Sequence, residues 1–109
     1  MARDIGNAGL GTGTGAKSIN IGMTATYMHI VIKGSGLKSF EGWIRNGLQY
    51  CFPADGEAMV TNKALKVKDT SGTVVLEGTF TSFSGNNVNF NLTTNSLGTA
   101  PDMLLVFGN

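Results

Sequence analysis

The chain carries little charge of either sign. Only 14% of its 109 residues are charged, and its formal net charge at pH 7 is +1. A net charge this small gives electrostatics little part in selecting a partner. A nucleic-acid binder usually gathers its basic residues into a stripe, whereas the eight Lys and Arg residues here are scattered and balanced by seven acids. We therefore expect no nucleic-acid partner.

Cysteine and long apolar runs are also scarce. Cys51 is the single cysteine, so no disulfide can form within the chain, which is consistent with folding in a reducing compartment. Met1–Asp4 leads into no apolar segment of the kind a secretory signal needs, and no run approaches the length that crosses a bilayer. We expect no signal peptide and no membrane insertion, and hence synthesis in the cytoplasm.

Helical periodicity is missing too, and its absence points to the fold class. Short alternating segments rich in Val, Ile, Phe and Thr are separated by many of the 16 glycines. A chain of this length forms one domain with a modest core. Because no βαβ alternation occurs, we predict an all-β fold, an antiparallel β-sandwich or a jelly-roll-like domain, with about 7–8 short strands.

The N-terminal segment differs from the rest of the chain. Glycine recurs through Ile5–Gly15, which offers few side chains able to anchor a fold. Ordering glycine at this density in water costs much backbone entropy. We therefore assign residues 1–16 to a Gly-rich N-terminal arm and residues 17–109 to a single β-sandwich domain. Such an arm is either mobile or lies against another subunit, and the second alternative requires an oligomer.

Two turns can be assigned from their residues. Asn46 and Gly47 separate two candidate strands, and this dipeptide supplies the two positive φ values of a type I′ hairpin. In the turn that begins at Asp69, the carboxylate is expected to accept hydrogen bonds from the turn amides. Gly72 is expected to take the left-handed conformation there.

The last hairpin has the clearest alternation in the chain. Its second strand presents two faces, an apolar one and a polar one: Val88, Phe90 and Leu92, and Asn87, Asn89 and Asn91. A two-residue loop at Gly85-Asn86 would pair Phe80 with Asn91 and mix the faces. A three-residue loop that includes Asn87 would pair Phe80 with Leu92. We predict the three-residue loop.

No residue set marks a reaction. Gly11–Ser18 resembles a phosphate-binding loop only in its glycine content, because Ala16 stands where that pattern needs Gly before Lys, and no helix is predicted to follow. His29 and Cys51 form the one Cys–His pair that the chain could build, and a small hydrolase at Cys51 is a third hypothesis. A mid-strand histidine and a small half-buried cysteine explain both residues better. We predict no catalytic residues and no enzymatic activity.

Metal ligands are equally sparse. One His and one Cys are too few for a zinc site. Calcium is less clearly excluded, since Asp55 and Glu57, or Asp69 and Asp102, could meet in space. No acidic loop has the ligand density of a dedicated calcium site. We predict no metal-binding and no cofactor-binding residues.

Trp43 marks the candidate binding surface. Glu41, Trp43 and Arg45 share one face of a strand, opposite Phe40 and Ile44. A tryptophan between an acid and a base is typical of a sugar-stacking platform and also of an anchor at a subunit interface. We favour the interface, because small sandwiches often need a partner to cover such a face. The asparagine row allows the same two interpretations, and simple solvation explains it better. The candidate glycan or interface residues are Trp43, Tyr27, Glu41, Arg45, Asn87, Asn89 and Asn91.

The first third of the chain resembles a family. Met1–Lys17, followed by Gly22–Ile32, resembles small virion-associated proteins of tailed bacteriophages. The rest is similar only in the general style of short phage sandwiches rich in Gly, Thr and Asn. The resemblance implies a component of a tail, a fibre tip or a capsid decoration, frequently trimeric and not a catalyst. It carries over no functional residue.

We therefore expect a non-enzymatic structural or host-attachment component of a bacteriophage particle. It would assemble as a homo-oligomer, with a trimer favoured, through apolar strand faces and the Gly-rich arm. Other virion proteins are the further expected partners. The alternative is a lectin-like module that binds a host surface glycan with Trp43, Tyr27 and asparagine side chains. The expected location is the virion.

Overall fold

The fold consists of two antiparallel sheets. The computed structural model describes residues 2–4, 10–54, 57–97 and 101–109. In chain order the strands are β1 Ala2–Asp4, β2 Gly15–Asn20, β3 Tyr27–Lys33, β4 Phe40–Arg45, β5 Leu48–Phe52, β6 Val60–Thr61, β7 Leu65–Lys68, β8 Val74–Ser84, β9 Asn87–Asn95 and β10 Asp102–Gly108. No helix occurs among these residues. The predicted all-β fold, compatible with an antiparallel sandwich, is confirmed.

The strands divide between a six-stranded and a four-stranded sheet. The first has the order β1-β10-β3-β4-β5-β6 and the second the order β2-β9-β8-β7. The described residues hold ten strands rather than about 7–8. The excess comes from very short pairings, such as the three residues of β1 and the two of β6.

One apolar core lies between the two sheets. Along β3, β4 and β9, alternate residues point inward and are buried, as the strand period of two requires. The largest buried side chains come from both sheets and include Phe40, Ile44, Phe90, Leu92 and Phe107. Burial of this inner layer leaves the opposite face of each sheet directed away from the core. The candidate site residues lie on these two outer faces.

Both predicted turns are confirmed. Asn46 and Gly47 have φ values of 52° and 77°, and Arg45 pairs with Leu48 across them, as in a two-residue hairpin. Asp69 Oδ1 accepts hydrogen bonds from the backbone amides of Ser71 and Thr73 at 3.0 and 2.9 Å. Gly72 has a φ of 93°.

The predicted register of the last hairpin is wrong. Ser84 pairs with Asn87, so the loop has two residues, Gly85 and Asn86. The faces still match, because the register shifts between Phe80 and Ser82 and brings Phe80 opposite Phe90. A β-bulge inserts one residue on one strand of a pair and so returns the following side chains to their proper face. A two-residue loop and a bulge together place apolar residues opposite apolar residues, which the predicted three-residue loop would also have done.

Part of the segment assigned to the arm contacts the domain. Ala2–Asp4 pairs with β10 at the edge of the six-stranded sheet. Leu10 is buried with the core residues, and β2 begins at Gly15 rather than after residue 16. Residues 5–9 lie outside the described residues. The described parts of the segment therefore lie against their own chain.

Candidate functional site

A row of stacked rings crosses the outer face of the six-stranded sheet. His29, Trp43 and Tyr50 occupy directly opposed positions on β3, β4 and β5. The ring centroids of His29 and Trp43 are 4.8 Å apart with an interplanar angle of 9°. Those of Trp43 and Tyr50 are 5.5 Å apart at 15°. The ring centroid of Phe52 lies 5.6 Å from that of Trp43, and the two rings are nearly perpendicular, with an interplanar angle of 89°.

The strand order explains this stack. Neighbouring strands lie about 4.8 Å apart, so outward-pointing rings at opposed positions come to stacking distance. Because β4 lies between β3 and β5, the Trp43 indole has His29 on one side and Tyr50 on the other. Both flat faces of the indole are therefore covered by neighbouring rings. A sugar could stack on Trp43 only after one of them had moved.

Three rows of outward residues surround the stack, and we call them together the aromatic face. The central row is Val106, His29, Trp43, Tyr50 and Thr61. A second row is Leu104, Val31, Glu41 and Phe52, and a third is Gly108, Tyr27, Arg45 and Leu48. The predicted candidates Tyr27, Glu41, Trp43 and Arg45 thus do lie together.

The aromatic face holds most of the exposed apolar side chains. Among the described residues, the large hydrophobic side chains that are exposed are Tyr27, Leu48, Phe52, Met59 and Leu104. Four of these five belong to the aromatic face, and Leu48, at 66%, is the most exposed. Clustered apolar exposure of this kind marks interaction surfaces, whereas scattered single residues are ordinary.

Charge on this face is confined mainly to its flanks. Glu41 and Arg45 are both exposed and lie on either side of Trp43 along β4. The Nε2 atom of His29 is 3.7 Å from Oε1 of Glu41, which is too long for a hydrogen bond. The same nitrogen is buried and has no hydrogen-bond partner among the described residues. The centre of the face is therefore ring surface between one acid and one base.

The asparagine row lies on the opposite side of the molecule. Outward residues of β2, β9 and β8 form three rows without a charged side chain, and we call them the neutral face: Asn20, Asn87 and Ser84; Ser18, Asn89 and Ser82; Ala16, Asn91 and Thr79. Asn89 Nδ2 donates to Ser82 Oγ at 3.2 Å. The structure therefore does not bring Asn87, Asn89 and Asn91 together with Trp43.

Tyr50, Phe52 and Leu104 belong to the aromatic face but were not among the site residues predicted from the sequence. The Asn46-Gly47 turn already implies that Trp43 opposes Tyr50 and that Glu41 opposes Phe52, so the turn carried a usable signal. The contribution of β10 carried no such signal. Leu104 reaches this face only because β10 pairs with β3, which is far from it in the sequence.

The possible Cys–His pair is not assembled. Cys51 is fully buried on the inner face of β5, whereas His29 lies on the outer face of β3. Burial raises the pKa of the Cys51 thiol to about 11, although Lys66 and Lys63 act in the opposite direction. The thiol is therefore protonated at neutral pH, and a protonated thiol is a poor nucleophile.

Other candidate chemistry finds little support in the described residues. Among them, no group of three or more His, Cys, Asp or Glu side chains could hold a metal ion. Asp55, one of the possible calcium ligands, lies outside the described residues. Lys17, in the segment compared with a phosphate-binding loop, donates through Nζ to the Thr12 carbonyl at 2.8 Å, and this segment leads into β2. The described residues also include no helix long and apolar enough to span a membrane.

Comparisons with protein-family models, with curated proteins and with solved structures find no match.

Proposed function

We propose that the chain is a non-enzymatic structural or host-attachment component of a bacteriophage particle and acts as a homo-oligomer. The resemblance of Met1–Lys17 and Gly22–Ile32 to virion-associated proteins supports the particle, and it favours a trimer. The aromatic face supports the oligomer. The observation that carries this proposal is the gathering on that one face of four of the five large hydrophobic side chains that are exposed in the described part of the chain.

The geometry of Trp43 favours a protein partner over a sugar at this face. Stacking of a sugar ring needs a free aromatic face, and both faces of this indole are covered by His29 and Tyr50. What the stack leaves exposed is a row of ring edges beside Leu48, Phe52 and Leu104. Aromatic rings within an apolar patch are typical anchors of protein–protein interfaces.

Light scattering coupled to size-exclusion chromatography tests the oligomer. We expect the wild-type chain to associate at micromolar concentration and Leu48→Asp to weaken association, because the charge would be buried in the contact. Leu48 is 66% exposed, so this substitution should leave the fold intact. Asn91→Asp, on the neutral face, is the matched control. A monomeric wild-type chain, or a Leu48→Asp variant that associates like wild type, would contradict the proposal.

The identity of the neighbouring genes tests whether the chain is a virion component. Genes for tail or capsid proteins beside this one would support a particle component, and a metabolic operon would contradict it.

The neutral face favours a second candidate function, glycan binding. Its hydrogen-bonding side chains carry no charge, which suits the hydroxyl groups of a neutral sugar. Asn87 and Asn91 make no side-chain hydrogen bond to any residue that the structure describes. This alternative moves the lectin-like site from Trp43 to the asparagine row. A glycan array with wild type and Asn91→Ala tests it, and an array without hits would contradict it.

A further inference from the structure

We propose that two copies of the chain pair through their aromatic faces about a two-fold axis that crosses the strands beside Trp43, so that Glu41 of each copy meets Arg45 of the other. This inference rests on the proposed function, because it names the geometry of the homo-oligomer. It starts from the charges on β4. Glu41 and Arg45 are exposed, point outward and stand two residues on either side of Trp43.

A two-fold axis in this direction reverses the order of the rows. The central row, with His29, Trp43 and Tyr50, comes to lie against the same row of the second copy. The row that contains Glu41 lies against the row that contains Arg45. Sheets that pack face to face keep their strand directions within about 30° and lie about 10 Å apart, so opposed rows come into contact.

The apolar residues beside the charges fit the same axis. Phe52 shares a row with Glu41, and Leu48 shares a row with Arg45, so Phe52 of one copy opposes Leu48 of the other. By the same argument Val31 opposes Tyr27. In the two flanking rows, the contacts on three adjacent strands are thus acid with base or apolar with apolar. This self-complementarity is what an isologous interface requires.

The outer strand β10 agrees with this pattern. Leu104 lies in the Glu41 row, and Gly108 lies in the Arg45 row. A side chain added at Gly108 would collide with the Tyr27 ring, which therefore lies across this glycine. Leu104, an exposed apolar side chain, would then meet the Tyr27 side chain, whose hydroxyl oxygen and adjoining ring edge are the atoms nearest to Gly108.

Other arrangements fit the charges less well. A two-fold axis along the strands would place Glu41 against Glu41 and Arg45 against Arg45, and like charges facing each other across an interface are costly. A simple ring of three has head-to-tail contacts and does not bring this face against itself. The pair is compatible with a trimer only in a larger assembly that contains both kinds of axis.

Charge reversal tests the pairing. By symmetry each pair of copies holds the Glu41–Arg45 contact twice, so Glu41→Arg or Arg45→Glu alone creates like-charge contacts at both places. We expect either single variant to raise the dissociation constant by about tenfold or more. The double variant Glu41→Arg/Arg45→Glu restores opposite charges and should recover most of the affinity. An equimolar mixture of the two single variants should form mixed pairs more tightly than either variant pairs with itself.

The outcomes separate this inference from the proposed function. Asn91→Arg adds charge on the neutral face and should leave association unchanged, and circular dichroism checks the fold of each variant. If the wild type associates but the reversals change nothing, or if its mass is that of a plain trimer, the pairing is overturned while the homo-oligomer stands. If the wild type stays monomeric at every concentration tested, the homo-oligomer fails, and the pairing fails with it.

Discussion

At the scale of single residues, Asp69 shows how one side chain fixes a turn. Its Oδ1 atom accepts hydrogen bonds from the Ser71 hydroxyl at 2.7 Å and from the backbone amides of Ser71 and Thr73. The pKa of Asp69 is lowered, first by the Ser71 hydroxyl and then by the Thr73 amide, because these bonds favour the ionised carboxylate. The turn between β7 and β8 is therefore linked to pH.

We predict that this turn loses stability in acid. Because the pKa of folded Asp69 lies below its ordinary value of 3.8, the stabilisation is complete above that value and is lost as the pH falls through the folded pKa. Asp69→Asn should lower the free energy of unfolding at about pH 6 and have less effect at about pH 3. Urea unfolding at both values measures this. Asp102→Asn, at an exposed site, is the control, and an Asp69→Asn effect equal at both values would contradict the prediction.

Local residue patterns could be interpreted from the sequence where the physics is local. Asp69 with Gly72, and Asn46 with Gly47, specify their turns through side chains only a few residues apart. The outward position of Trp43 follows from alternation along a single strand. Its covered ring faces could not be deduced in the same way, because His29 reaches Trp43 only through the pairing of β3 with β4.

At the scale of strands, the bulge in β8 depends on a residue of the other sheet. The Gln49 side chain donates through Nε2 to the Phe80 carbonyl at 3.0 Å, and its Oε1 accepts from the Phe80 amide at 2.7 Å. Phe80 stands where the register of β8 against β9 shifts, and β7 pairs with β8 only as far as Gly78. One amide side chain therefore satisfies both backbone groups of Phe80.

This contact explains why the hairpin register was predicted wrongly. Alternation within the hairpin can be satisfied by a longer loop or by a bulge, and the hairpin residues do not decide between them. The bulge becomes favourable when a distant side chain can bind the backbone beside it, and Gln49 is 31 residues away from Phe80. The contact between Gln49 and Phe80 depends on the tertiary fold, so the sequence of the hairpin alone does not predict it.

We predict that Gln49→Ala destabilises the fold by about 1–3 kcal/mol, because it leaves the partly buried amide and carbonyl of Phe80 without a partner. The free energy of unfolding from urea denaturation measures the loss. Asn91→Ala removes an amide from an exposed position on the neutral face and should change stability by less than about 0.5 kcal/mol. Equal stability of Gln49→Ala and wild type would show that water replaces the side chain at Phe80.

At the scale of the whole molecule, the two outer faces differ in chemistry. The aromatic face exposes rings and large aliphatic side chains, and the neutral face exposes amides and hydroxyls. Composition and alternation predict the all-β class and the polarity of each strand, because both depend on local sequence. They do not predict which strands become neighbours. The composition of each face follows from the pairing of β10 with β3 and of β2 with β9.

Trp43 offers a spectroscopic test of this division, since it is the only tryptophan and lies at the centre of the aromatic face. If the aromatic faces of two copies cover each other in the oligomer, dissociation on dilution exposes the Trp43 indole to water. We predict that its fluorescence maximum moves to longer wavelength as the protein is diluted through its dissociation range. Asn91→Lys, which places a charge on the neutral face, should follow the same curve, whereas Leu48→Asp should keep the long-wavelength emission up to higher concentrations than wild type. Emission that is independent of concentration in a wild-type oligomer would show that the copies meet through another surface.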